Sequence, residues 1–217
     1  MSMRARSAAK RKVKASPRSR VKAGTAIRAI RAKAAAPSGG KRKPARRAVT
    51  ADIQVRSPLW KAQPRATRIV RAAIAAASAH STLGGEVSIL LIDDSTVARL
   101  NREWRGIDKP TNVLSFPAPD LPASDGVRML GDIVIAYETL QRECADEDRA
   151  FLHHLSHLTV HGFLHLIGYD HGNDAEAEAM EALESKIMTG MKLPDPWLEP
   201  WLGRDDEPRR SRKPGGA

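Results

Sequence analysis

From Arg65 to Gly190 the apolar residues follow either a helical or a strand-like rhythm, and the changes between the two mark the expected elements. In "RATRIVRAAIAAASAH" (65–80), Ile69, Val70, Ala73, Ile74 and Ala77 share one helical face. "GGEVSILLI" (84–92) then reads as a turn and a buried strand. Asp93, Asp94 and Ser95 offer N-caps to a short helix in which Val97, Leu100 and Trp104 recur at i, i+3 and i+7. "NVLSF" (112–116) is a second strand, stopped by Pro117, and a loop rich in Pro, Ala and Asp (117–126) leads to a third, "MLGDIVIA" (129–136). Helical segments follow from Tyr137. A longer helix is expected from about Asp148 to Ile167, with Gly168 as the residue just past its end. Asn173 with Glu176 resembles a capping box for a last helix, whose Met180, Leu183 and Ile187 point inward and whose end is marked by Gly190. "LPDPWLEPWLG" (193–203) reads as a packed, proline-stiffened extension, and no internal repeat is visible.

Charge divides the chain sharply. Of 36 Lys and Arg, 17 fall in residues 1–50, which hold none of the 25 Asp and Glu. That leaves 19 basic against 25 acidic residues in 51–217, so the net +11 of the whole belongs to the first fifty residues and the body is mildly acidic. Segment 1–50 has too few large apolar residues to bury a core, and a disordered basic extension is expected there, either an electrostatic arm for nucleic acid or a transit peptide. The folded domain is expected at 51–203 and a polar tail at 204–217. Cys144 is the single cysteine, which excludes an intramolecular disulfide and a multi-cysteine zinc ribbon and suits a reducing compartment. No apolar run approaches the ~18 residues of a membrane span, and the start lacks a signal-peptide core, so a soluble, unexported protein without a membrane partner is expected.

Three of the seven histidines, His161, His165 and His171, lie in "VHGFLHLIGYDHGND" (160–174). Four helical residues advance about 400°, so His161 and His165 stand one turn apart on nearly the same face. Gly168 ends the helix and lets the chain fold back, bringing His171 towards the same point. Three nitrogen ligands with a fourth position open are what a catalytic zinc site requires. His153 and His157 continue the ladder backwards with His154 beside it, and these read as polar or core residues. Gly162 stands where the peptidase motif H-E-x-x-H carries its glutamate base, which argues against proteolysis. The nucleophile then comes from water activated by the metal, or its proton passes to a carboxylate elsewhere.

"HGFLHLIGYDH" (161–171) resembles the signature H-G-x-L-H-L-x-G-Y-D-H of the YbeY family of bacterial metal-dependent endoribonucleases, also called rRNA maturation factors. "LNREWRGIDKPTNVLSFP" (100–117) and "LGDIVIA" (130–136) resemble two further blocks of that family, and the likeness runs in order from about Asp52 to Gly203. The resemblance implies a zincin-like α/β (α+β) fold: a small mixed, mostly parallel four-stranded sheet packed with helices, the metal-binding helix lying across it. It further implies one Zn²⁺ per chain on His161, His165 and His171, with Arg105 and His165 catalytic. An arginine fork there would hold phosphoryl oxygens as negative charge builds on them. The implied activity is cleavage of single-stranded RNA in 16S rRNA 3′-end maturation and ribosome quality control. Its partners would be rRNA, the small ribosomal subunit and assembly factors. A bacterial cytoplasm is expected from the family and from an Ala/Arg-rich composition that fits a GC-rich genome, with an organelle as the fallback if the extension is a transit peptide.

Lys109, Thr111, Asn112 and Ser115 are candidates for the substrate groove, although Asn112 and Ser115 equally suit a buried strand and Lys109 a solvated charge. Asp170 either orients an imidazole or shapes the turn. Asp132 serves strand structure or the rim of the cleft. Trp197-Leu198 and Trp201-Leu202 read as core packing, with base stacking as the alternative. Two other function classes remain open at this point: a non-catalytic ribosome-assembly factor with zinc as a structural staple, and a zincin-like metallopeptidase.

Overall fold

The computed structural model of the protein describes residues 48–119 and 128–197. Its elements run β1 (Val49–Val55), a 3-10 turn (Pro58–Ala62), α1 (Ala66–Ser78), β2 (Gly85–Ile92), α2 (Asp94–Arg105), β3 (Val113–Pro117), β4 (Met129–Ala136), α3 (Tyr137–Asp146), α4 (Phe151–Leu166) and α5 (Asp174–Gly190). The sheet has the order β1-β2-β4-β3, with β1, β2 and β4 parallel and β3 antiparallel on the edge. It is the mixed four-stranded α/β arrangement that the family resemblance implied. The expected loop 117–126 (from residue 120), the basic extension (up to residue 47), the second half of the extension after α5 and the tail 204–217 lie outside the described residues.

β2 reads as an unbroken apolar run because helices cover both of its faces. Val87, Ile89 and Leu91 join Ile133 and Ile135 of β4 against α1, α4 and α5. Leu90 and Ile92, with Val134, Ala136 and Leu114, meet Val97, Leu100 and Trp104 of α2 on the other side. α4 is buried over most of its surface, with Leu155, Val160, Phe163 and Leu164 inside the larger core and the polar His154, Ser156, His157 and Thr159 buried as well. Its start is pinned by an aromatic trio: Phe151 lies 5.9 Å from Trp60 and 5.4 Å from Tyr137 between ring centres. Trp60 is itself fixed by its indole N–H, which donates to the carbonyl of Ile92 at 3.0 Å. No described helix is long and apolar enough to cross a membrane.

Three boundaries differ from the sequence expectations, each for a local reason. β1 was not among the expected strands, and it begins at Val49, ahead of the expected domain start at Ala51. Val49, Ala51 and Ile53 alternate inward against the core and pair in parallel with β2 from Gly85 onward. β3 runs Val113–Pro117 instead of 112–116: it stops at the proline as expected but includes it, paired with Gly131, a position that an edge strand tolerates. The helix expected from Asp148 starts at Phe151, because Asp148 takes a positive φ of 49° in the turn that separates α3 from α4. α5 ends at Gly190 as expected, and the left-handed residue beyond it is Lys192 (φ 62°), with the amide of Leu193 donating to Met188 O as in a glycine-capped end.

Candidate metal centre

α4 ends as its sequence predicts. Gly168 adopts φ 103°, and the amides of Gly168 and Tyr169 donate to the carbonyls of His165 and Leu164. The chain then turns back, Asp170 Oδ1 accepting from the amide of His171 at 2.9 Å. This places one nitrogen from each of His161, His165 and His171 within 4.8 Å of the others. The ring centres are 4.6 Å apart for His161 and His165, 5.0 Å for His165 and His171, and 5.6 Å for His161 and His171.

The inner ring nitrogens are set by what the outer ones do. His165 Nδ1 donates to the carbonyl of Tyr169 at 2.9 Å, and His161 Nδ1 donates to Glu184 Oε1 at 2.7 Å. With both Nδ1 protons committed, both Nε2 atoms carry lone pairs, and they face each other at 3.1 Å. Two acceptors at that distance repel unless a cation lies between them. The arrangement therefore fits a metal ion on three imidazoles, each of two ligands steadied by a partner behind it.

Glu184, which the sequence reading did not single out, stands directly behind the histidines. It is fully buried on α5, where its Oε2 also accepts from His157 Nε2 at 3.2 Å and from the Trp197 indole at 3.2 Å. Burial alone would raise its pKa, but the hydrogen bonds from His157 and His161 outweigh it and hold the carboxyl down at about 2. Burial pushes the His157 imidazole below its ordinary value, against the pull of Glu184. The available signal was an acidic residue in the same apolar stripe as Met180, Ile187 and Met188.

The remaining candidates fall in different places. Arg105 is the last residue of α2, half-buried, and makes no hydrogen bond or ion pair among the described residues; burial lowers its pKa. Asn112 spends its side chain on structure: Nδ2 donates to both oxygens of Glu143, at 3.1 and 2.9 Å, and Oδ1 accepts from the amide of Val113 at 2.7 Å. Glu143 is bonded in turn to the buried His154 at 2.9 Å. Thr111 leans on Asn112 at 3.4 Å, and Lys109 is exposed. Ser115 faces α4 beside Gly162, where the helix and sheet touch. Asp170 shapes the turn through the amide of His171, lying 3.9 Å from His165 Nδ1, whose proton goes to Tyr169 O. Trp197 meets His157 edge-on at 5.6 Å while 48% exposed; Leu198, Trp201 and Leu202 lie outside the described residues.

A mixed α/β domain that gathers three imidazoles from one helix and the turn behind it has the form of a site that could hold a metal on histidines at the end of a helix. Residues 52–192 match the family model described as endoribonuclease YbeY, and the chain belongs to that family. The endoribonuclease YbeY of a Bradyrhizobium species is 52% identical over 157 residues, covering 69% of this chain and 93% of the relative. That of Nitrobacter winogradskyi is 53% identical over 157 residues, covering 69% and 82%. The solution structure of a Thermotoga maritima protein aligns with a TM-score of 0.39 and 21% identity, over 66% of this chain and 92% of that one.

Proposed function

We propose that the protein is a zinc-dependent endoribonuclease that cuts single-stranded RNA, with the 3′ end of 16S rRNA as its substrate. Its setting is the maturation and quality control of the small ribosomal subunit in a bacterial cytoplasm, where ribosomal and assembly proteins are its partners. The observation that carries the metal-centred reading is the facing pair of His161 and His165 Nε2 atoms, both with their Nδ1 protons engaged elsewhere. Family membership supports RNA as the substrate.

His161, His165 and His171 would hold the ion through three neutral nitrogens. A zinc ion held there would supply a Lewis acid and a water of lowered pKa. Arg105 binds the scissile phosphate: its guanidinium is drawn partly out of water and has no protein anion to satisfy it among the described residues. In that position it stabilises charge that grows on the phosphoryl oxygens during attack. Peptide hydrolysis is disfavoured, since position 162 is turned into the sheet with no room for a glutamate base.

The test is cleavage of a labelled single-stranded RNA carrying the small-subunit 3′ sequence. Wild type, His165→Ala, and chelated protein with zinc restored are compared. Cleavage that needs both His165 and the metal supports the reading. Equal traces in all three would overturn it in favour of a non-catalytic assembly factor.

A further inference from the structure

His161 cannot serve as a fixed ligand unless something fixes Glu184, and a segment beyond α5 is built to do so. Glu184 and Ser185 are neighbours on that helix. Ser185 Oγ donates to Asp195 Oδ1 at 2.8 Å, and the same oxygen accepts from the backbone amide of Trp197 at 2.9 Å. The turn so formed delivers the Trp197 indole N–H to Glu184 Oε2 at 3.2 Å, and lays the ring edge-on against His157. Oε2 thereby receives two donors, Trp197 and His157, which leaves Oε1 to His161 at 2.7 Å.

Resting on the reading that the three histidines hold a divalent metal, we propose that Glu184 is a positioning residue for His161. The turn from Asp195 to Trp197 is the latch that holds it. Three N–H donors converge on this carboxylate, and only a carboxylate offers acceptors on both of its terminal atoms. An amide in its place presents N–H to N–H on one side, so it rotates away from one of its partners. A carboxylate behind a metal-bound histidine also fixes the tautomer and raises the basicity of the nitrogen facing the ion. Because Trp197 is half exposed, replacing it by phenylalanine keeps the ring against His157 and deletes only the hydrogen bond, without opening a core cavity.

The experiment titrates full-length, metal-stripped protein with Zn²⁺ against a chromophoric chelator, and records the thermal midpoint of each metal-free variant. Glu184→Gln is expected to weaken zinc binding by about 10–100-fold. Trp197→Phe is expected to weaken it by a smaller factor, about fivefold, and to lower the metal-free midpoint only slightly, as the loss of one hydrogen bond at a half-exposed residue requires. Wild-type affinity in both variants overturns the positioning role while leaving the metal site intact. Should Glu184→Gln fail to fold, Trp197→Phe and Asp195→Ala decide, and unchanged affinity in both overturns the latch. A wild type that binds no zinc overturns the metal reading itself, and this proposal with it.

Discussion

Gly162 and Ile133 approach so closely that a Cβ on the glycine would lie 2.9 Å from Ile133 Cγ2, with Ser115 Oγ at 3.1 Å. The helix that carries His161 is seated on β3 and β4 at this point, and no side chain fits between. Gly162→Ala is therefore expected to lower stability. The helix gains about 1 kcal/mol of propensity, but overpacking costs about 1–3 kcal/mol, giving a small net loss. Urea unfolding checks it. Gly162→Glu is expected to prevent folding and to confer no peptidase activity, since its side chain would enter the sheet and not the metal centre. A folded, stable Gly162→Glu protein would show that α4 is not held as described.

The second prediction concerns the metal. His165→Ala removes one of the two facing Nε2 atoms and is expected to lose both zinc binding and RNA cleavage. Zinc that binds only the folded state stabilises it by mass action, about 2.7 kcal/mol at a hundredfold excess over Kd. Wild type should therefore melt higher with zinc than without, and His165→Ala should melt at one temperature in both. Calorimetry with and without zinc separates this from mere loss of a surface contact.

Arg105 should behave differently. Arg105→Ala leaves the histidines untouched, so zinc binding is expected to stay as in wild type while cleavage falls by about 10²–10³-fold, the usual loss when a transition-state donor is removed. Arg105→Lys should recover little, because an ammonium does not reproduce the two-pronged grip on a phosphate. Normal cleavage by Arg105→Ala would remove the residue from the mechanism.

The parts of this site that were legible in the sequence are those whose partners are close along the chain. His161 and His165 are linked by helical pitch, and Gly168 needs only its own φ to turn His171 back. Glu184 was not legible, since its meaning depends on His161 and Trp197, which converge on it from α4 and from beyond α5. On the fold side, β2 announced itself as a continuous apolar run covered on both faces. β1 carries the alternation of a half-buried strand, Val49, Ala51, Ile53 and Val55 against Thr50, Asp52 and Gln54, but this short signal is masked by the basic segment of unlike composition that it adjoins. Gly190 closes α5 as its sequence suggests, and the left-handed residue that caps the end is Lys192, two positions on.

Asn112 supplies a test of structure against substrate binding. Its amide bridges the start of β3 to Glu143 of α3, and Glu143 holds the buried His154. Asn112→Ala leaves Glu143 short of a donor and the amide of Val113 without its acceptor, for an expected loss of about 1–3 kcal/mol. Zinc affinity and the cleavage rate of the folded fraction should be unchanged. A higher KM for RNA with undiminished stability would instead assign the side chain to the substrate groove.

The basic extension makes the last prediction. Removing residues 1–47 deletes 17 Lys and Arg and leaves a remainder that is net acidic. An acidic body repels a polyanion, so the extension should dominate capture at low salt, and its effect should fade as the Debye length shrinks to about 3 Å at 1 M. Each phosphate neutralised on a single strand steepens the plot of log affinity against log salt by about 0.7. The truncated protein is therefore expected to show weaker RNA binding at low salt, a much flatter salt dependence, and affinity converging with the full chain at high salt. Zinc binding and the single-turnover rate at saturating RNA should be unchanged, because the histidines, Arg105 and Glu184 all lie in the domain. Parallel salt plots for the two proteins would mean that the extension does not contact phosphate, and that RNA capture is a property of the domain alone.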